Sequence, residues 1–205
     1  MKSMNVEKEK SENNYLSIDN YKIGTQLLDE DNLITAEKHF NQAIELNPQF
    51  VEAIDHLGLV YRRQNRLKEA EELYIKSINI APRNSISYQN LAVVYELQDK
   101  LNSAFHTYMT MLDITSENPE PFYGIGKLFF TIGRYKESIT FLDNAIELYI
   151  NNKSTYVFDA IYFKGMVYYK LNEFEAALKY LEESLKGSRN IEIIKEAIDE
   201  IKNKL

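Results

Sequence analysis

The sequence predicts an all-α fold, a right-handed α-solenoid superhelix built from antiparallel helix pairs. Small residues return every 34 positions in one series, which consists of Gly24, Gly58, Ala92 and Gly126. A second series at the same spacing is Ala36, Ala70, Ala104 and Ser138, and a third is Pro48 and Pro82. A fixed period of this length, with two helix-sized segments per repeat, is typical of helical arrays that bind other molecules along an extended surface.

The register of the prolines divides the chain into repeats of two helices each. We place the repeats at 17–50, 51–84, 85–118, 119–152 and, after an insertion at 153–157, at 158–191. In the second repeat, Ile54, Leu57 and Tyr61 recur at helical spacing, and the pattern resumes after a short polar turn. The five predicted turns are Asp31-Asn32, Asn65-Arg66, Asp99-Lys100, Gly133-Arg134 and Asn172-Glu173. We therefore expect ten repeat helices.

The two ends of the chain have different compositions. Residues 1–14 are polar and charged, and we expect them to form a disordered tail preceding a single array at 15–205. Between about 190 and 204, isoleucines recur at helical spacing among lysines and glutamates, as at Ile194, Ile198 and Ile201. This pattern predicts a capping helix that covers the last apolar face of the array.

The recurring small residues predict close helix crossings. Two antiparallel helices approach closely only where one of them presents almost no side chain, and glycine at one phase of the first helix satisfies this condition. Aromatic side chains on the second helices, Phe40, Tyr74 and Tyr108, are expected to wedge between adjacent repeats. The five extra residues of the insertion should lengthen the connection or the flanking helices, because they exceed one helical turn.

The order of residues within a repeat resembles the tetratricopeptide repeat family, over residues 17–191. The second repeat carries the family's series of positions as Ile54, Leu57-Gly58, Tyr61, Ala70, Tyr74, Ser77 and Pro82. The usual tryptophan is absent, Lys164 stands where an apolar residue is expected, and Ser116, Ile150 and Arg189 replace the proline. The resemblance implies a superhelix whose first helices line a concave groove that binds a peptide or protein segment.

Composition and motifs narrow the function further. The net charge of −7 and the pI near 5.1 argue against a nucleic-acid partner. The absence of cysteine excludes disulfides and thiolate-ligated metals, and no apolar stretch is long enough to span a membrane. No nucleotide-binding, hydrolase or metalloprotease motif occurs, and His39, His56 and His106 fall at different phases of their repeats. We therefore expect a cytoplasmic protein that is not an enzyme, with no cofactor and no metal.

The resemblance places a set of side chains on the concave groove. They are Tyr21, Asp55, His56, Arg62, Arg63, Gln89, Asn90, Tyr123, Lys127, Tyr162, Phe163 and Tyr169. Aromatic residues supply contact area at low entropic cost, and the cations Arg62, Arg63 and Lys127 predict an acidic partner segment. The alternative is that Arg62 and Arg63 pair within the protein, with Glu52, Asp55 or Glu96.

One subfamily binds the acidic tails of cytosolic chaperones through a carboxylate clamp of lysines, asparagines and an arginine. The matching positions here are Tyr21, Thr25, His56, Ile86 and Asn90, and moving one or two repeats along also fails to supply the cations. The clamp is therefore not expected. The favoured function is a protein–protein interaction adaptor, and the alternative is a structural or self-associating subunit of a larger assembly.

Overall fold

The computed structural model describes residues 2–188 and 190–204, with side chains described from residue 11 onward. Within these ranges the chain forms eleven α-helices and no strand, which confirms the predicted all-α fold of antiparallel helix pairs. The helices are α1 (Lys2–Asp29), α2 (Leu33–Leu46), α3 (Val51–Arg63), α4 (Leu67–Ile80), α5 (Ser85–Leu97), α6 (Leu101–Ile114), α7 (Pro119–Thr131), α8 (Tyr135–Asn151), α9 (Val157–Lys170), α10 (Phe174–Ser184) and α11 (Ile191–Lys202).

The contacts within the chain divide it into two compact units, Met1–Thr107 and Tyr108–Leu205. In unit 1, α1 packs on α2 and α3 packs on α4; in unit 2, α7 packs on α8 and α9 packs on α10. Helix α11 covers the end of α10 by burying Ile194, Ile198 and Ile201 against Ala177 and Leu181. A single array from 15 to 205 stays a prediction.

The turns between paired helices lie where the sequence predicts them. Asp31, Asn65, Asp99 and Asn172 have φ between 57° and 60°, and Gly133 has φ 76°. Asparagine and aspartate tolerate this left-handed conformation, and glycine adopts it without steric cost. One such residue therefore reverses the chain at the end of each of these first helices.

The beginning of the chain differs from the prediction. Helix α1 starts at Lys2, so residues 2–14 continue the first repeat helix instead of forming a disordered tail. No glycine or proline interrupts the sequence before Gly24, and lysine and glutamate are good helix formers. The disorder prediction used low hydrophobicity, which limits burial but does not prevent a helix from continuing.

The insertion is divided between a longer helix and a longer turn. Helix α8 has 17 residues, whereas α2, α4 and α6 have 14 each, and α9 begins only at Val157. Lys153 has φ 53°, which ends the extended helix in a left-handed turn. The extra residues were predicted to lengthen the connection or the flanking helices, and the structure shows that they lengthen both the connection and α8.

Close helix crossings lie at the predicted glycines. A Cβ atom built on Gly24 or Gly58 would lie 2.8 Å from the ring of Phe40 or Tyr74, respectively. At Gly126 the crossing is also polar, because the Ser138 hydroxyl donates to the Gly126 carbonyl over 2.7 Å. Phe40 packs with Leu57, and Tyr74 packs with Leu91, so these rings do lie between adjacent repeats.

Lys164 stands at a position where an apolar residue is expected, and its side chain is buried, with the residue 9% exposed. Its Nζ lies 2.5 Å from Asp143 Oδ1 and 4.4 Å from the centre of the Tyr180 ring. Burial lowers the pKa of Lys164, but the hydrogen bonds to Asp143 and Tyr180 together outweigh burial, and the net shift is upward. The lysine is tolerated because its stem packs like an aliphatic side chain while its charge reaches an acid.

We expect Lys164→Ala to lower the free energy of unfolding by roughly 2 kcal/mol, because truncation removes the buried stem. Lys164→Met keeps that volume and should cost less than about 1 kcal/mol, since hydrophobic replacement of an ion pair is often close to neutral. Urea denaturation of both variants measures the difference. Equal losses in the two variants would show that the charge, and not the stem, makes the contribution.

Candidate functional site

Unit 2 carries an aromatic surface on its first helices, α7 and α9. Tyr123 and Phe130 lie two helical turns apart on α7, and Tyr162 and Phe163 are adjacent on α9. The ring of Phe163 lies 5.7 Å from Tyr123, 6.0 Å from Phe130 and 5.4 Å from Tyr162, each in edge-on geometry. All four side chains are half-buried. We call this set the unit-2 aromatic face.

Lys127 lies one turn after Tyr123 on the same side of α7. Its Nζ is 5.4 Å from the centre of the Tyr123 ring and 6.0 Å from that of Phe163. A cation within about 6 Å of a ring is attracted by the ring's quadrupole. Burial raises the pKa of Tyr162, so this hydroxyl stays protonated at neutral pH. The structure thus brings together Tyr123, Lys127, Tyr162 and Phe163 from the predicted set.

Tyr169 lies near the C-terminal end of α9 and takes part in the contact with α11. Its hydroxyl donates to Glu200 Oε1 over 2.5 Å, and Lys204 Nζ lies 4.7 Å from the centre of its ring. The pKa of Glu200 is held below its usual value by Lys204 and Tyr169. Among the predicted groove residues, Tyr169 is therefore engaged by the capping helix.

In unit 1, two aromatic rings contact His56, and one of them also contacts Phe50. The Tyr21 ring meets His56 edge-on at 5.2 Å and lies 5.0 Å from Phe50, and Phe40 lies 5.6 Å from His56. His56 Nδ1 is 2.8 Å from the Glu52 carbonyl one turn earlier, a contact that requires Nδ1 to carry the proton. The hydrogen bond fixes the orientation of the ring and directs Nδ1 towards the preceding turn.

Asp55, which the family resemblance places on the groove, is 6% exposed in the structure. The Ser87 hydroxyl donates to its carboxylate at 2.9 Å, and Asn84 Nδ2 donates at 3.1 Å. Ser77 lies 2.8 Å from Ser87 and completes a polar network between α3, α4 and α5. Helical periodicity placed Asp55 on the correct side of α3 but gave no information on how deeply α5 covers it.

Burial raises the pKa of Asp55, although hydrogen bonds from Ser77, Ser87 and Asn84 oppose the shift. The carboxylate also lines an open pocket of about 500 Å³. Phe50, Glu52, His56, Asn84 and Ile86 are among the other lining residues, and no lysine or arginine lines it. We call this cavity the unit-1 pocket.

Two residues of this pocket, Phe50 and Asn84, are not among the predicted site residues. Both lie in connections between repeats, where periodicity carries no signal. Asn84 could have been found as a helix N-cap, because its side-chain oxygen accepts from the Ile86 amide over 3.2 Å. Nothing in the sequence marks Phe50 as a partner of Tyr21.

The two arginines of α3 differ in their surroundings. Arg63 donates to the Leu28 carbonyl over 3.2 Å and lies 3.6 Å from Asp31, so it holds the preceding turn. Arg62 is half-buried, and its side chain makes no hydrogen bond or ion pair with any residue that the structure describes. Arg63 is therefore paired within the protein, but its partner is Asp31 and not one of the expected acids, Glu52, Asp55 or Glu96.

Gln89 and Asn90, two further residues of the predicted groove, are both half-buried on α5.

Among the residues described, no group of three or more histidine, aspartate or glutamate side chains is placed to hold a metal ion. Within the same residues, no helix combines the length and the apolar character that crossing a bilayer requires.

Two comparisons address the repeat pattern. A tetratricopeptide-repeat family model matches residues 51–81, and a second model of that family matches residues 120–190. No curated protein matches the sequence.

Solved structures share the fold at low sequence identity. A tetratricopeptide-repeat protein of Thermus thermophilus, TTC0263, is 16% identical with a TM-score of 0.70, covering 90% of this chain and 98% of that one. YrrB, described as a tetratricopeptide-repeat protein with an unusual peptide-binding site, is 19% identical with a TM-score of 0.64 and covers 92% of each chain. Pseudomonas aeruginosa PilF is 17% identical with a TM-score of 0.74, covering 86% and 78%. At these identities the likeness shows the fold alone.

Proposed function

Because this chain belongs to the tetratricopeptide-repeat family, we propose that it is a protein–protein interaction adaptor that binds a peptide or protein segment on its first helices. The single observation that carries the proposal is the unit-2 aromatic face. Its four rings are held in fixed edge-on contacts yet keep accessible surface. A preorganised aromatic surface loses little conformational entropy on binding.

The chemistry of the face suits an extended or helical segment with apolar anchors. Aromatic side chains at the centre of an interface commonly carry most of its binding energy. Peptide recognition in YrrB, a protein of the same fold, is consistent with such a use. The face is confined to α7 and α9, both of which belong to unit 2.

We expect Phe163→Ala to weaken partner binding at least 30-fold, because loss of a central aromatic anchor costs about 2 kcal/mol or more. The partner is first identified by affinity capture from the native host and mass spectrometry, and its affinity is then measured by calorimetry. Tyr156→Ala is the matched control, since Tyr156 is an exposed aromatic of the same unit outside the face. It should change the affinity less than threefold.

Circular dichroism must show unchanged helicity in both variants, because Phe163 also contributes to packing. If Phe163→Ala keeps wild-type affinity while remaining folded, the partner binds elsewhere and the proposed site is wrong.

An acidic partner segment remains part of the proposal in a narrower form. Arg63 is engaged with Asp31 and the Leu28 carbonyl, so reversing its charge would disturb the fold as well as any ligand. Arg62 is the cleaner residue to test. Arg62→Glu alone should weaken binding of an acidic segment without changing the midpoint of denaturation.

The second candidate function is a structural or self-associating subunit. It is favoured by apolar side chains that α1 exposes, among which Tyr15 is 70% exposed and Leu16, Ile18 and Ile23 are each more than a third exposed. Sedimentation of the pure protein separates the candidates, because a stable oligomer would support self-association and a monomer would support the adaptor.

A further inference from the structure

We propose that the unit-1 pocket binds an arginine side chain of the partner segment. The inference rests on the proposed function in one respect, that the ligand is part of a peptide. It concerns a different unit and a different chemistry from the unit-2 aromatic face. The arginine proposed here is positively charged, whereas the segment proposed to contact Arg62 is acidic. Arg62 lies seven residues after Asp55 on α3.

The first argument is the charge of the pocket wall. Two of the residues that line the pocket, Glu52 and Asp55, carry carboxylates, and no lysine or arginine lines it. The remaining polar lining consists of the side-chain amides of Asn47, Gln49 and Asn84 and of His56, whose Nδ1 bonds the Glu52 carbonyl. A cavity with this wall offers hydrogen-bond acceptors and negative charge, so it favours a cation that has several donors.

The second argument is that Asp55 is buried and has no lysine or arginine partner among the described residues. Its carboxylate is almost fully buried, and its hydrogen bonds come from neutral donors, Ser87 and Asn84. No lysine or arginine among the described residues forms an ion pair with it. A buried charge without a counter-ion is unfavourable, and a cation that enters the pocket would offset that cost. The raised pKa of Asp55 is consistent with this account.

The third argument distinguishes arginine from lysine. Phe50 and His56 line the pocket with rings, and Tyr21 holds both of them at about 5 Å. A planar guanidinium can stack on such rings while its N–H groups bond carboxylates, whereas an ammonium is more strongly hydrated and bonds as a point charge. The pocket volume of about 500 Å³ lies within the range of small-ligand sites.

The test is an NMR titration of the ¹⁵N-labelled full chain with N-acetyl-arginine methylamide. We expect saturable shifts confined to the amides of residues 47–56 and 81–87. N-acetyl-citrulline methylamide has nearly the same shape without the charge, and it should bind at least tenfold more weakly. N-acetyl-lysine methylamide should fall between the two. Shifts scattered over the whole acidic surface, or equal binding of the citrulline compound, would overturn the proposal.

Variants identify the carboxylates involved. Asp55→Asn should weaken binding of the arginine compound at least tenfold, and Glu52→Gln should weaken it severalfold. Glu52 is exposed, and the hydrogen bond with His56 uses its backbone carbonyl, so its substitution keeps the test valid if Asp55→Asn disturbs the network. Glu72→Gln, an exposed glutamate of α4, is the matched control and should leave binding unchanged.

Wild-type affinity for the arginine compound in both Asp55→Asn and Glu52→Gln would also overturn the proposal. That outcome is distinguishable from failure of the proposed function, because the latter is measured by partner capture with Phe163→Ala and does not use the arginine compound.

Discussion

Replacing Gly58 with leucine is expected to lower the free energy of unfolding on the order of 1–3 kcal/mol, through overpacking of the α3–α4 crossing. A Cβ atom at this position would already lie 2.8 Å from Cε1 and Cζ of Tyr74. Tyr74, on α4, is fully buried against Leu91 and Val94 of α5, so its ring cannot move into solvent to make room. Leucine is a better helix former than glycine by less than about 1 kcal/mol, so the steric term should dominate.

Urea denaturation followed by circular dichroism measures the effect as a lower midpoint. Lys76→Leu is the matched control, because it places the same side chain at an exposed position of α4. It should change stability by no more than about 0.5 kcal/mol. A wild-type midpoint in Gly58→Leu would mean that the two helices separate without cost, and the assigned crossing would be incorrect.

Removing the Asp55 carboxylate is the second large change, and Asp55→Ala should cost about 1–3 kcal/mol at pH 7. The substitution removes the acceptor of the buried Ser87 hydroxyl and one of the two acceptors of the Asn84 amide. Asp19→Ala, at an exposed position of α1, is the control and should be nearly neutral. Asp55→Asn should cost less than Asp55→Ala, because it retains an acceptor oxygen and buries no charge.

The same residue predicts a pH dependence. The pKa of Asp55 is higher in the folded state than its ordinary value of 3.8, so between these two values the folded state binds more protons than the unfolded state. Stability must then fall as the pH rises through that window. The stability of the wild type relative to Asp55→Asn should therefore increase as the pH is lowered from 7 towards 4. A constant difference over this range would show that the pKa of Asp55 is not raised.

Much of the repeat organisation was accessible from the sequence because it depends on local rules. Left-handed turns favour Asp, Asn and Gly, and the turns at Asp31, Asn65 and Gly133 could be placed from those residue types alone. Crossings need a residue without a side chain, and Gly24 and Gly58 marked them. Each of these features is determined by one residue and its immediate neighbours.

Part of the candidate site followed from the same periodicity. Spacing put Tyr123 and Lys127 on one side of α7 and put Tyr162 and Phe163 on the matching part of α9, and the structure brings these side chains together. The start of α1 at Lys2 was not predicted. The polar composition of residues 1–14 suggested disorder, whereas local helix propensity determines whether a helix continues.

By itself, then, the sequence determined the helical class, the period, the turns and the glycine crossings, since these depend on backbone preferences and on which face of a helix is apolar. Only the tertiary structure decided how each polar side chain is used. In it, Asp55 is buried and accepts hydrogen bonds from Ser87 and Asn84. Arg63 donates to the Leu28 carbonyl, and Tyr169 donates to Glu200 of the capping helix. Ser87 and Asn84 lie 32 and 29 residues from Asp55, Leu28 lies 35 residues from Arg63, and Glu200 lies 31 residues from Tyr169. Helical spacing gives the direction of a side chain, whereas the depth of its burial and the partner it meets depend on the packing of the neighbouring helix.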